Sequence, residues 1–123
     1  MEKRIVQANT LAAIDVLLDT IIKTKPDKPI EQIENWLLYN LGTDSFNAWL
    51  CYEDDKVVGM LIAEVSFGEF AFIAYEWGEN LHKQLEKWAK RMELKKLLKY
   101  EKQPQPYIDS GWSILHTVIV KEI

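Results

Sequence analysis

Two carboxylates, Glu64 and Glu69, stand on either side of an expected turn between apolar, β-favouring runs. A carboxylate at a strand end is a candidate general base, acting on a substrate proton directly or through one water. The ordinary alternative for each is a solvated side chain. The two histidines, His82 and His116, form no pair at ligand spacing, and no Cys/His or Asp/Glu cluster does either, so no metal site is expected. His116 reads as a hydrogen-bonded strand residue and His82 as a helix-start residue. Cys51, the single cysteine, lies in an apolar run, where a buried thiol is inert. There is no glycine-rich nucleotide loop of the Walker or dinucleotide type. Between Leu81 and Lys102 eight cations face three carboxylates, a local charge of +5 in a chain whose net charge is −4. Such a segment can attract phosphate groups, or it can be a solvated helix face.

The elements that must position these groups follow from periodicity. Ile5-Val6 reads as a short strand, and Asn9 or Thr10 as the cap of a helix carrying Leu11, Ile14, Leu17, Leu18, Ile21 and Ile22. A second helix is expected from Pro29, with Ile33, Trp36, Leu37 and Leu41 on one face and Gly42 ending it. The period then changes. Ala48–Tyr52, Val57–Val65 and Phe70–Tyr75 read as three antiparallel strands, turning at Glu53–Lys56 and Ser66–Glu69. Leu81, Leu85, Trp88 and Met92 mark a third helix. Leu94–Tyr100 fits either a strand or more helix, which Pro104 and Pro106 stop. Ser113–Val120, apolar on both faces, reads as one last strand interior to the sheet.

Composition sets the bounds. A chain of 123 residues, 48% hydrophobic and 28% charged, suits one domain over residues 1–123. Its five Trp, five Tyr and four Phe provide a core without disulfide or structural metal. No signal peptide is evident, and no run approaches the ~20 apolar residues of a membrane span. A soluble, intracellular, cytoplasmic protein is expected, alone or within a larger assembly, its oligomeric state open.

Three stretches carry a resemblance. Trp49–Glu64 puts an acidic turn ahead of Val57-Val58-Gly59-Met60; Leu85–Arg91 forms a helix; Tyr107–Trp112, with Gly111 before an aromatic, leads to His116–Glu122. In this order, over nearly the whole chain, they resemble the GNAT N-acetyltransferase family. The resemblance implies an α+β fold, a three-layer sandwich whose mixed, mostly antiparallel central sheet has helices on both faces. The implied order is β-α-α-β-β-β-α-β-β. It also implies acyl transfer from acetyl-CoA to an amine, with the thioester in a gap between the fourth and fifth strands. Tyr107 matches the family's frequent general acid, whose phenol can protonate the leaving thiolate.

In that family a glycine-rich loop led by arginine or glutamine wraps the cofactor's pyrophosphate. The matching stretch here is Tyr75–Asn80, with Gly78 its sole glycine and no arginine before it. Tyr75, Gly78, Asn80 and Lys83 are the residues the resemblance would set against the cofactor, with Lys87 and Lys90 further along the helix. Glu76 and Glu79 would oppose the phosphates, and Trp77 would plug the cleft. Two functions follow: an N-acetyltransferase with an atypical acetyl-CoA seat, or a non-catalytic binding or assembly module of the kind a virus or mobile element encodes with trimmed loops. The partner is an amine acceptor or a protein. Nucleic acid is disfavoured by the acidic net charge and the lack of an aromatic-basic motif.

Overall fold

The computed structural model describes residues 2–100, 109, 111–115 and 118–123. Early in the chain, apolar residues three and four apart produce two amphipathic helices, α1 (Ile14–Ile22) and α2 (Ile30–Asn40). A 3-10 turn, Leu11–Ala13, leads into α1. Neither expected cap bonds its first turn. Thr10 precedes the 3-10 turn without a side-chain hydrogen bond. Asn9 is drawn instead to the segment after α2, where its amide donates to the Thr43 and Phe46 carbonyls and its oxygen accepts from Gly42 N–H. That segment satisfies both ends of the amide, with two acceptors and one donor, whereas a helix start offers only donors. Pro29 stands just before α2, and Gly42, at φ 91°, turns the chain away after it.

The strands are β1 (Lys3–Gln7), β2 (Phe46–Glu53), β3 (Lys56–Ser66), β4 (Phe70–Gly78), β5 (Lys96–Tyr100), β6 (Ser113–Leu115) and β7 (Val118–Glu122), with helix α3 (His82–Arg91) between β4 and β5. They form one sheet in the order β1-β2-β3-β4-β5-β7-β6, in which only the β4–β5 pairing is parallel. The hairpin turns sit where expected, with Asp54, Phe67 and Gly68 in the left-handed region.

Both sheet faces are covered. On one, α1 and α2 bury Leu17, Ile21, Ile33 and Leu37 against Phe46, Ala48, Leu50, Met60 and Ile62. On the other, α3 buries Leu85, Trp88 and Ala89 against Trp49, Cys51, Leu61, Ala63 and Leu97. Alternate residues of β2 thus enter opposite cores, which explains why that strand reads as a continuous apolar run. A mixed, mostly antiparallel sheet with helices on both faces is the expected α+β architecture.

Three details correct the expectation, and a fourth decides a segment it left open. The last apolar stretch is two antiparallel strands, with Ser113 opposite Val120, so the order gains a strand; β7 is interior and β6 is the edge. Apolar residues on both faces cannot reveal such a reversal. Met92 is 37% exposed because α3 ends at Arg91; Glu93 turns left-handed and Leu94 enters the core instead. The undecided Leu94–Tyr100 becomes β5, beginning at Lys96. Most important for the site, β4 does not stop at Tyr75 but continues to Gly78. Among the described residues no helix is long and apolar enough to cross a membrane.

Candidate functional site

The parallel pairing of β4 with β5 covers only Phe70–Phe72 against Lys96–Leu98. Beyond Phe72, β4 runs on along β3 alone, and the sheet opens. A bulge sits at the opening: Ile62 faces Tyr75 while Ala63 faces Ile73, leaving Ala74 without an opposite residue. The extra residue reverses the alternation. Ala71 and Ile73 pack into the α3 core, whereas Tyr75 packs on the α1–α2 side. Glu76 consequently points toward α3.

There Glu76 joins three elements. Its carboxylate lies 2.8 Å from the Lys99 ammonium of β5 and 3.1 Å from His82 Nε2, the first residue of α3. The His82 ring in turn rests on Trp112, with centroids 5.9 Å apart. Burial alone would raise the Glu76 pKa, but the His82 hydrogen bond and the charge and hydrogen bond of Lys99 prevail and lower it to about 2. The carboxyl is therefore a fixed anion spanning the mouth of the opened sheet.

Two cavities meet at this bridge, both lined in part by Glu76 and Lys99. The larger, about 700 Å³, lies between the α1–α2 connection and β4 and is walled by Trp36, Phe72 and Tyr75 with Glu64. Glu64 is half-buried; burial pushes its carboxyl up, while hydrogen bonding with Trp36 and the charge of Lys28 oppose the shift. Burial likewise raises the Tyr75 phenol, and the Asp27 charge adds to this. The smaller cavity, about 420 Å³, lies toward α3 and is lined by Trp77, Gly78, Glu79, Asn80 and His82.

The expected site residues divide between these places. Glu64 and Tyr75 come together in the larger cavity, and Gly78 and Asn80 in the smaller. Glu69 is exposed in the β3–β4 turn, at the closed end of the opening, and lines neither cavity. Lys83 is exposed in the first turn of α3. Tyr107 and His116 lie outside the described residues. Trp77 does not reach toward β5: it pairs with Met60 on β3, and the Lys23 ammonium lies 4.6 Å from its ring centroid. Glu76 and Lys99 occupy the place expected for a plug. Sequence reasoning missed Lys99 and Trp36 as site residues, since each meets its carboxylate only through tertiary packing.

The turn into α3 has partners of its own. Glu79 N–H donates to the Val58 carbonyl at 2.9 Å, and Asn80 Oδ1 accepts from His82 N–H at 2.8 Å. The Glu79 carboxylate pairs with Lys3. Gly78 lies opposite Gly59, so close to β3 that a Cβ at Gly78 would stand 2.1 Å from the Val58 oxygen. These glycines serve strand packing. Among the described residues, no three His, Cys, Asp or Glu side chains are grouped to hold a metal ion.

Comparisons with known proteins agree with this architecture. No protein-family model and no curated protein sequence matches the chain. Solved structures do. A GNAT family acetyltransferase from Elizabethkingia anophelis with acetyl-CoA bound superposes with a TM-score of 0.72 at 15% identity, over 98% of both chains. The aminoglycoside 6'-N-acetyltransferase of Enterococcus faecium gives 0.74 at 13% identity, over 99% of this chain and 97% of that one. The PaiA N-acetyltransferase of Thermoplasma acidophilum, in complex with coenzyme A, gives 0.69 at 12% identity over the whole of both. The chain has the fold of the GNAT acetyltransferases. Within that fold its β4–α3 connection is three residues, Glu79–Leu81.

Proposed function

We propose that this chain is an N-acetyltransferase-related binding protein that keeps the amine side of the GNAT cleft and has given up its CoA seat. One observation carries the reading: the stretch that should wrap a pyrophosphate is strand β4, with Gly78 packed on Val58. A phosphate cradle needs free backbone N–H groups at a helix start. Here Asn80 already takes the His82 N–H and Val58 takes the Glu79 N–H, while the lysines nearest the cavity are committed to its carboxylates, Lys99 to Glu76 and Lys3 to Glu79. The residues present do not fit the cofactor's diphosphate, and no acetyl-transfer step is derived through it.

The larger cavity has the chemistry of an amine site. Aromatic walls favour a cation through their π faces, and the Glu64 carboxylate complements its charge, in a lining that also carries Asp27 and Glu76 beside Lys25, Lys28 and Lys99. The sheet with a core on each face supports one domain over residues 1–123.

A transferase reading has one observation in its favour. Lys83 and Lys87 are exposed cations on α3, the helix that borders the smaller cavity, and can meet phosphates from outside the lost loop. Tyr107 would then be the proton donor and Glu64 the base, with Glu69 too remote to assist. Thermal melting with acetyl-CoA separates the readings, because a ligand that binds only the folded state raises the melting temperature. The binding-protein reading expects no shift at millimolar acetyl-CoA; a saturable rise would favour the transferase.

A further inference from the structure

We infer that the larger cavity takes a small zwitterion, a primary ammonium and a carboxylate on one apolar body. The ammonium turns inward to Glu64 and the carboxylate outward to Lys25 and Lys28. The inference rests on reading this cavity as an amine site and names the class of amine.

The lining carries both signs in equal number. Among the described residues, Lys25, Lys28 and Lys99 share the cavity with Asp27, Glu64 and Glu76. Lys99 and Glu76 are committed to each other, and His82 completes that bridge. The other four groups make no ion pair among the described residues. They differ in depth. Lys25, Asp27 and Lys28 are exposed on the α1–α2 connection, whereas Glu64 is half-buried on β3. Free charge is therefore positive in excess at the rim and negative in the interior.

A ligand of one sign meets opposition at one of these places. A plain cation passes two lysines to reach Glu64, and a plain anion at the rim faces Glu64 behind it and Asp27 beside it. A zwitterion satisfies both. The Lys28 charge acts on the Glu64 carboxyl although the two do not pair, so one small molecule can span the gap between them.

Hydrogen bonding agrees. A primary ammonium brings three N–H donors. The Glu64 carboxylate, the Tyr75 hydroxyl and the Gln32 amide oxygen line the cavity as acceptors. Asp27 is near enough for its charge to raise the Tyr75 phenol, and the Thr24 hydroxyl already donates to the Ile21 carbonyl. The Trp36 and Tyr75 rings meet edge to face, 5.6 Å between centroids, so they form one continuous wall. With Phe72, Ile33 and Ile73 that wall suits an apolar body between the charged ends. A volume of about 700 Å³ admits a molecule of amino-acid size.

The test is calorimetric titration of the intact chain with leucine, leucinamide and N-acetylleucine, at about pH 6 so that the leucinamide amine is charged. The second probe lacks the carboxylate charge and the third the ammonium. Leucine is expected to bind roughly fivefold more tightly than leucinamide and roughly tenfold more tightly than N-acetylleucine. Glu64→Gln should weaken leucine by about tenfold and leave N-acetylleucine unchanged. Replacing both exposed lysines, Lys25→Gln with Lys28→Gln, should weaken leucine by about fivefold and leave leucinamide unchanged. If leucinamide binds as tightly as leucine, or the double variant binds leucine as the parent does, the inference is overturned while the amine reading stands. If N-acetylleucine binds as tightly as leucine, or none of the three binds, both fall.

Discussion

The Lys99 ammonium lies 2.8 Å from the Glu76 carboxylate, joining β5 to β4 just past the point where the two strands cease to pair. Glu76 reaches that position only because the bulge at Ala74 reverses which face of β4 it occupies. In a fold shared with a solved structure that holds acetyl-CoA, this chain bridges the mouth of the opened sheet with its own side chains.

The bridge predicts an acid-sensitive stability. Glu76 is held at about 2 against an ordinary 4.5, so its contribution is full above the ordinary value and is lost as pH falls from about 5 toward 2. The shift corresponds to on the order of 3 kcal/mol at neutral pH. Urea unfolding at a series of pH values should show this loss in the parent and a flatter profile in Glu76→Gln. Two parallel profiles would mean that Glu76 is not the group responsible.

Gly78→Ala should be severe. Its backbone sits at φ 73° and the added methyl would meet the Val58 oxygen at 2.1 Å, so β4 must leave β3 or distort. A loss above about 2 kcal/mol is expected, against about 1 kcal/mol for Gly42→Ala, which has a similar φ but open space around it. Chemical denaturation of the two variants makes the comparison. Were Gly78 a phosphate-loop glycine outside the strand, the two losses would be alike.

Asn80→Ala removes the acceptor for His82 N–H and should cost about 1 kcal/mol, the usual net worth of one such hydrogen bond. Asn80→Asp should retain most of that stability, since the carboxylate can accept the same bond. Melting curves test both. A neutral Asn80→Ala would show that the contact contributes nothing to holding α3.

Much of the architecture was legible because hydrophobic period changes cleanly along the chain. Leu17, Ile21, Ile33, Leu37, Leu85 and Trp88 all occupy the buried faces that helical spacing indicates. The hairpin turns were readable from Asp54-Asp55 and Phe67-Gly68, flanked by apolar runs. The end of β4 was not. Glu76-Trp77-Gly78-Glu79-Asn80 has the composition of a loop, and it is strand through Gly78 because Gly59 on β3 allows a close approach. That requirement belongs to two segments at once, and no local pattern expresses it. The site was half legible for the same reason. Glu64 stands out by type and Tyr75 enters only through the family resemblance, but Trp36 and Lys99 join them through packing between elements distant in sequence.

The central claim, that the CoA seat has been replaced by strand and a bonded turn, is met most directly by calorimetric titration of the chain with acetyl-CoA. The binding-protein reading predicts no saturable heat at millimolar ligand, because the backbone donors at Glu79 and His82 are already bonded and Lys99 and Lys3 are committed to Glu76 and Glu79. Saturable micromolar binding, weakened by Lys83→Ala or Lys87→Ala, would contradict it and restore the transferase.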